Sequence, residues 1–220
     1  IANSVVGVAN RTYNSNGSLI FGAGNEITNS IENVNLSLKK FESPNDLSKE
    51  LRKKVSDNKG GGATLVIGGG NKADYTKQVS MIGTRNEVKG TEDKKTELVS
   101  VSGDNNLVEN SRNIVAGKNF HVKGEGNVLQ GFNNVDDKKR REITNSNVVA
   151  LGNDIEINTD NSVYLGTNST EAKEANTLWR SEKDKRDKAY GEYAGFDHIG
   201  GIVTVGNDTL TRVIQNVAPG

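Results

Sequence analysis

A short apolar phrase closed by glycine returns along the whole chain: SLIFG ends at Gly22, TLVIG at Gly68, NVVALG at Gly152 and NSVYLG at Gly166. Aligned on that glycine, nine copies stand at Gly7, Gly22, Gly68, Gly83, Gly103, Gly117, Gly131, Gly152 and Gly166. The shortest steps are 14 or 15 residues, and the longer ones are one such period plus an insertion. A fixed short period means that each copy is one structural unit, stacked on the units before and after it.

Within a copy the usual pattern is apolar, any residue, apolar, glycine. Leu19/Phe21, Leu65/Ile67, Val149/Leu151 and Val163/Leu165 carry it, whereas Ser100 and Ser102 take those places before Gly103. Alternation of this kind predicts a strand with one buried face. The glycine then permits a turn at positive φ, and asparagine, common in this chain, is the next most tolerant residue there. A weaker second strand is expected in NEVKG (86–90), NLVEN (106–110) and DIEIN (154–158). Two short strands and two turns per repeat make a small flattened coil, and stacked coils form an all-β parallel roll or helix.

Composition sharpens this expectation. Hydrophobic residues are 33% of the 220-residue chain and aromatics 5%, little for an ordinary globular core. One coil is therefore expected to lack enough apolar side chain both to fill its interior and to cover an outer face, so copies of the chain should pack these strand faces together. The formal net charge is zero, which argues against nucleic acid or an acidic membrane surface as partner. The absence of cysteine fits an exported protein but leaves the compartment open. The chain starts at Ile1 without an initiator Met and carries no signal peptide or long apolar run. It reads as a fragment whose targeting and anchoring segments lie outside it.

Four stretches interrupt the period. Within the first insertion (34–62), residues 40–58 hold a capping Ser43, Pro44 and Asp46, with Leu47, Leu51 and Val55 spaced every four residues. This predicts a short amphipathic helix. With Phe41 beside it, the stripe either packs on the flank of the roll or projects as a partner-binding element. The charge run DDKKRRE (136–142) and TEDKKTE (91–97) read as solvated turns. Residues 167–198 concentrate scarce aromatics, Trp179, Tyr190, Tyr193 and Phe196. They pack a junction or form a binding patch.

Catalytic chemistry finds no support. His121 and His198 are the only histidines, without the further ligands a zinc site needs. His121 reads as a surface or interface residue. GGG at 68–70 lacks the Lys-Ser/Thr of a phosphate loop, and the carboxylates sit in mixed-charge loops with no pocket implied. No catalytic residue, metal or cofactor is assigned. A hexapeptide-repeat acyltransferase would show a six-residue period.

The last segment, IGGIVTVGNDTLTRVIQNVAPG (199–220), resembles the neck of trimeric autotransporter adhesins. Val205 and Gly206 fit its opening, and Arg212, Ile214, Asn216, Val217, Ala218 and Gly220 fit R-x-I-x-N-V-A-x-G. Pro219 stands where alanine is usual. The repeats of residues 1–166 resemble the YadA-like head of that family. The resemblance implies a homotrimeric, left-handed parallel β-roll with a helical insertion, a C-terminal neck at 199–220, and a trimer core formed by the eight paired apolar residues above. It also implies a Gram-negative outer-membrane surface location through a stalk and barrel anchor not contained in this chain. The Lys- and Asn-rich composition and long insertions are similar to fusobacterial heads, a group with adhesins that bind CEACAM receptors. A CEACAM-like host receptor is therefore the leading partner, with Phe41, Leu47, Leu51, Trp179 and Tyr190 as contact residues. Collagen is an alternative, since NSVYLG is close to a collagen-binding phrase of the family. So are fibronectin and a receptor-free spacer or fibre.

Overall fold

The computed structural model describes residues 3–33, 43–172 and 200–218. The elements run β1 (Ser4–Val8), β2 (Arg11–Tyr13), β3 (Leu19–Ala23), β4 (Glu26–Thr28), α1 (Pro44–Asp57), β5 (Thr64–Gly69) and β6 (Lys72–Asp74). They continue with β7 (Thr76–Thr84), β8 (Glu87–Lys89), β9 (Thr96–Asp104), β10 (Leu107–Val108), β11 (Ile114–Lys118) and β12 (Phe120–Val122). The last are β13 (Val128–Phe132), β14 (Arg141–Ile143), β15 (Val149–Leu151), β16 (Val163–Leu165) and β17 (Val203–Thr204). The odd strands to β15, then β16 and β17, form a ten-stranded sheet; the even strands to β14 form a seven-stranded sheet. From β1 to β14 each coil adds one parallel strand to each sheet, and β15, β16 and β17 extend the larger sheet alone, so the fold is an all-β parallel roll.

The glycines of the phrase stand in one column: Gly7 pairs with Gly22, Gly22 with Gly68, Gly68 with Gly83, Gly83 with Gly103, Gly103 with Gly117 and Gly117 with Gly131. Their φ values run from 122° to 150°, a region essentially reserved for glycine. A Cβ on Gly22, Gly103 or Gly117 would stand 1.7–1.8 Å from the carbonyl oxygen of the next glycine in the column. Glycine is thus required twice at each step, by the turn and by the close approach of the next coil.

The asparagines divide into two roles. Some hold positive φ, among them Asn105, Asn119, Asn147 and Asn161. Asn10, Asn25, Asn71, Asn86 and Asn106, three residues after the glycines, are not among them and form a side-chain ladder. Each Nδ2 donates to the glycine carbonyl of the next coil, at 2.7–2.9 Å. Each Oδ1 accepts the backbone N–H of the residue one coil on, ending at Phe120. These amides satisfy groups that the corner would otherwise leave unpaired in the interior.

Each coil fills its interior from its own side chains and leaves its outer face uncovered. The middle residue of the phrase, the one the pattern left free, points inward: Ile20, Val66, Met81, Val101, Val115, Leu129, Ala150 and Tyr164 are buried. They meet Ile27, Ala73, Val88, Val108, Val122 and Ile143 of the second sheet in one cluster. The flanking apolar residues of the phrase therefore lie on the opposite, outer face. DIEIN is also corrected, since no strand forms at 154–158. There the Tyr164 hydroxyl accepts the Asn158 and Thr159 amides, at 3.2 and 3.1 Å, and so takes the place of a ladder partner.

The first insertion leaves the stack intact because β3 and β4 pair directly with β5 and β6. Asn16 ties both of its roots. Its Oδ1 accepts the amides of Glu32 (3.1 Å) and Gly62 (2.8 Å), and its Nδ2 donates to the Glu32 carbonyl (2.6 Å). Helix α1 begins where expected, with Ser43 Oγ accepting the Asp46 amide at 3.3 Å. No residue of α1 is buried, and Leu47 and Leu51 of its apolar stripe are half-buried.

Candidate assembly and receptor-binding surfaces

The outer face of the ten-stranded sheet is the main candidate. It carries two parallel columns. The first runs Leu19, Leu65, Ser80, Ser100, Ile114, Val128, Val149, Val163 and Val203. The second runs Phe21, Ile67, Ile82, Ser102, Ala116, Gln130, Leu151 and Leu165. All eight residues expected in a core between copies, Leu19, Phe21, Leu65, Ile67, Val149, Leu151, Val163 and Leu165, lie here. All are exposed or half-buried. The same columns add Ile82, Ile114 and Val128, which the sequence reading did not name although the repeat phase contains them. Phe21 and Ile114 are 57% and 53% exposed. Exposed apolar fields of this kind mark an interaction surface.

The C-terminal segment is docked by its motif arginine. Strand β17 joins the sheet beside β16, with Val163 opposite Val203. The Arg212 guanidinium then donates to the carbonyls of Val205 (2.6 Å) and Thr167 (2.8 Å) and to Ser169 Oγ (3.3 Å). Gly166 makes room for it, since a Cβ there would stand 2.7 Å from Arg212 Cζ. Val205 is half-buried, whereas Ile214, Asn216 and Val217 are exposed. Past the arginine, Val213, Ile214 and Val217 are left exposed by the described residues.

The insertions place the receptor candidates unequally. Leu47 and Leu51 are half-buried on α1. Phe41, Trp179 and Tyr190 lie outside the described residues. Residues 136–139 of the charge run form an exposed turn, as expected, but Arg140 and Arg141 are half-buried, Arg141 and Glu142 open β14, and the run is tied to other coils. Asn105 Nδ2 donates to the Asp137 carbonyl at 3.1 Å, Lys118 pairs with Asp137 at 2.6 Å, and Arg140 Nε donates to the Asn105 carbonyl at 3.0 Å. It is a strap laid across several coils. Residues 91–97 likewise tie in through Lys95, which pairs with Glu32 at 2.9 Å and donates to the Ile31 carbonyl.

Charged groups elsewhere pair along the coils. His121 Nε2 lies 2.6 Å from Glu109 Oε2 on the outer face of the second sheet, in keeping with a surface role. The Arg85 guanidinium holds the Asp104 carboxyl below its ordinary value, with Thr84 and Lys118 adding to the effect. A concavity of about 660 Å³, bordered by Asp154, Glu156, Glu171 and Asp208, does place carboxylates around a cavity, contrary to the sequence expectation. Glu171 there accepts the buried Tyr164 hydroxyl at 2.8 Å, and burial pushes that phenol up to about 12. No cluster of His, Cys, Asp or Glu suited to a metal ion occurs among the described residues. None of their helices is long and apolar enough to cross a membrane. Comparison with protein-family models gives no match, and comparison with curated proteins gives none.

Proposed function

We propose that this chain is the head and neck of a trimeric autotransporter adhesin, in which three copies share their ten-stranded faces and present insertions to a host receptor of CEACAM type. The observation that carries the reading is the outer face of that sheet. Two columns that are apolar toward both ends of the ten-stranded sheet, with Phe21, Ile67, Ile82, Ile114, Leu151 and Leu165 among their exposed members, face outward while the coil interior is already filled. A second copy offers the same columns, and symmetric self-association is the usual way to cover such a face. The number three, the left-handed roll of 14–15-residue repeats and the outer-membrane location follow from the resemblance of the repeats and of the Arg212–Val217 motif. Val213, Ile214 and Val217, exposed in one chain, would be covered by a neighbouring copy in the neck.

Helix α1 supports the choice of a projecting receptor contact, because it offers Leu47 and Leu51 away from the buried core. Three identical sites on one head raise avidity without a large single interface. Collagen recognition through NSVYLG has less support: Tyr164 points into the coil, and Ser162 Oγ accepts the Ile202 amide at 3.0 Å, so the phrase is occupied in holding the fold.

Surface binding of the chain to an immobilised CEACAM amino-terminal domain, with collagen and fibronectin alongside, tests the proposal. Binding to the CEACAM domain is expected, and Leu47→Ser with Leu51→Ser should abolish it at unchanged melting temperature. Binding only to collagen or fibronectin refutes the receptor assignment. Silence on all three from a verified trimer favours a spacer.

A further inference from the structure

The outer face of the ten-stranded sheet is not apolar throughout. In the first column Ser80 and Ser100 stand between Leu65 and Ile114, and in the second Ser102, Ala116 and Gln130 stand between Ile82 and Leu151. Ser80 Oγ donates to Ser100 Oγ at 3.3 Å, and Ser100, Ser102 and Gln130 are exposed. The face is therefore two apolar fields separated by a diagonal polar belt. The inward residues behind the belt, Met81, Val101, Val115 and Leu129, are fully apolar and buried. The interior of the coil thus gives no reason for the interruption; only what meets the outer face can use it.

We infer that the belt of Ser80, Ser100, Ser102 and Gln130 sets the axial register between copies of the chain. This rests on the assembly proposed above. A face repeated coil by coil has a built-in ambiguity: sliding one copy by a single coil, about 4.8 Å, returns aliphatic columns to aliphatic columns. The belt removes it. In register, the hydroxyls and amides of the copies meet one another and any water they hold. One coil out of register, Ser100 or Gln130 faces aliphatic side chains and loses its partners, which is unfavourable for a buried polar group. A few polar residues in an apolar seam fix register in this way at a cost in stability.

Methyl resonances read the register directly. In a threefold-symmetric trimer each labelled Ile δ1 methyl gives one signal, and Ile67, Ile82 and Ile114 lie on the face itself. The single methionine, Met81, reports from just behind it. The wild-type chain is expected to give one signal per methyl. The variant with Ser80→Val, Ser100→Val, Ser102→Val and Gln130→Leu should remain trimeric by sedimentation, melt higher, and split these signals into two or three as slipped, asymmetric trimers appear. Should that variant fail to fold, Ser102→Val with Gln130→Leu carries the same expectation. A filled-belt trimer with single signals overturns the inference and leaves the assembly standing, as does a wild-type trimer with split signals. A monomeric wild-type chain overturns the assembly and the belt together.

Discussion

The glycine column can be tested by a graded series of alanine substitutions. Gly103 has φ +134°, and a Cβ there would lie 1.8 Å from the Gly117 carbonyl oxygen and 2.8 Å from its carbon. Forcing alanine into a glycine-only region costs about 1–3 kcal/mol. The clash adds to this, because the Gly117 carbonyl is not free to retreat: it accepts Asn106 Nδ2 at 2.9 Å. Displacing it leaves a buried amide without its partner, another ~1–3 kcal/mol. Gly103→Ala should therefore lose about 4 kcal/mol or more, a large share of the ~5–15 kcal/mol that holds a typical domain. At Gly70 the backbone is left-handed (φ +66°) but nothing lies within 4 Å of a new Cβ, so Gly70→Ala should cost only the conformational term, about 1–2 kcal/mol. At Gly200, with neither constraint, alanine should be neutral. Urea unfolding at one fixed protein concentration ranks the three. Equal midpoints for Gly103→Ala and Gly200→Ala would show that the coils do not approach as described.

Other consequences follow from the same geometry. Asn71→Ala removes the Nδ2 bond to the Gly83 carbonyl and the Oδ1 acceptor of the Asn86 amide, at 2.8 and 3.0 Å; a loss of about 2–4 kcal/mol in urea unfolding is expected, and a loss below 1 would contradict the ladder. Leu98 holds φ +57° at a half-exposed corner, so Leu98→Asn should raise stability by about 0.5–1 kcal/mol, seen as a higher urea midpoint. Lys95, chiefly by its hydrogen bond, holds Glu32 below its ordinary value, and Arg85 does the same for Asp104. A depressed carboxylate pKa stabilises above the unfolded value and loses that contribution as pH falls through the folded one. Melting temperature should therefore be flat from pH 7 to about 5 and drop below about 4, and Arg85→Ala should shrink the drop.

The stacking was legible in the sequence, whereas the residues that fill the coil interior were not singled out. Glycine spacing, strand phase and the Ser43 cap were legible because backbone geometry leaves so few residues to choose from. The inward residue went unnamed because three successive positions, such as Leu19, Ile20 and Phe21, are all apolar, and the pattern was read only on the flanking two, which lie on the outer face. The copy at Gly103 held the answer: between Ser100 and Ser102 only Val101 is apolar, so the middle position must be the inward one. No strand forms at 154–158, where the Asn158 and Thr159 amides instead meet the Tyr164 hydroxyl, a tertiary contact invisible in local pattern. The strap at 136–142 looked like free charge because its partners, Asn105 and Lys118, lie far upstream in sequence. Of the candidate receptor contacts, only the helix residues could be placed, and the sequence could not reveal that α1 has no buried residue.

The central claim is that the outer face of the ten-stranded sheet is covered by copies of the same chain. Sedimentation equilibrium tests it most directly. The account predicts a species of three times the 23.6 kDa chain mass, and a shift to monomer for Leu151→Asp, which places uncompensated charge in each contact. A wild-type chain that sediments as a monomer at micromolar concentration would contradict it, as would a Leu151→Asp variant that stays trimeric with unchanged melting.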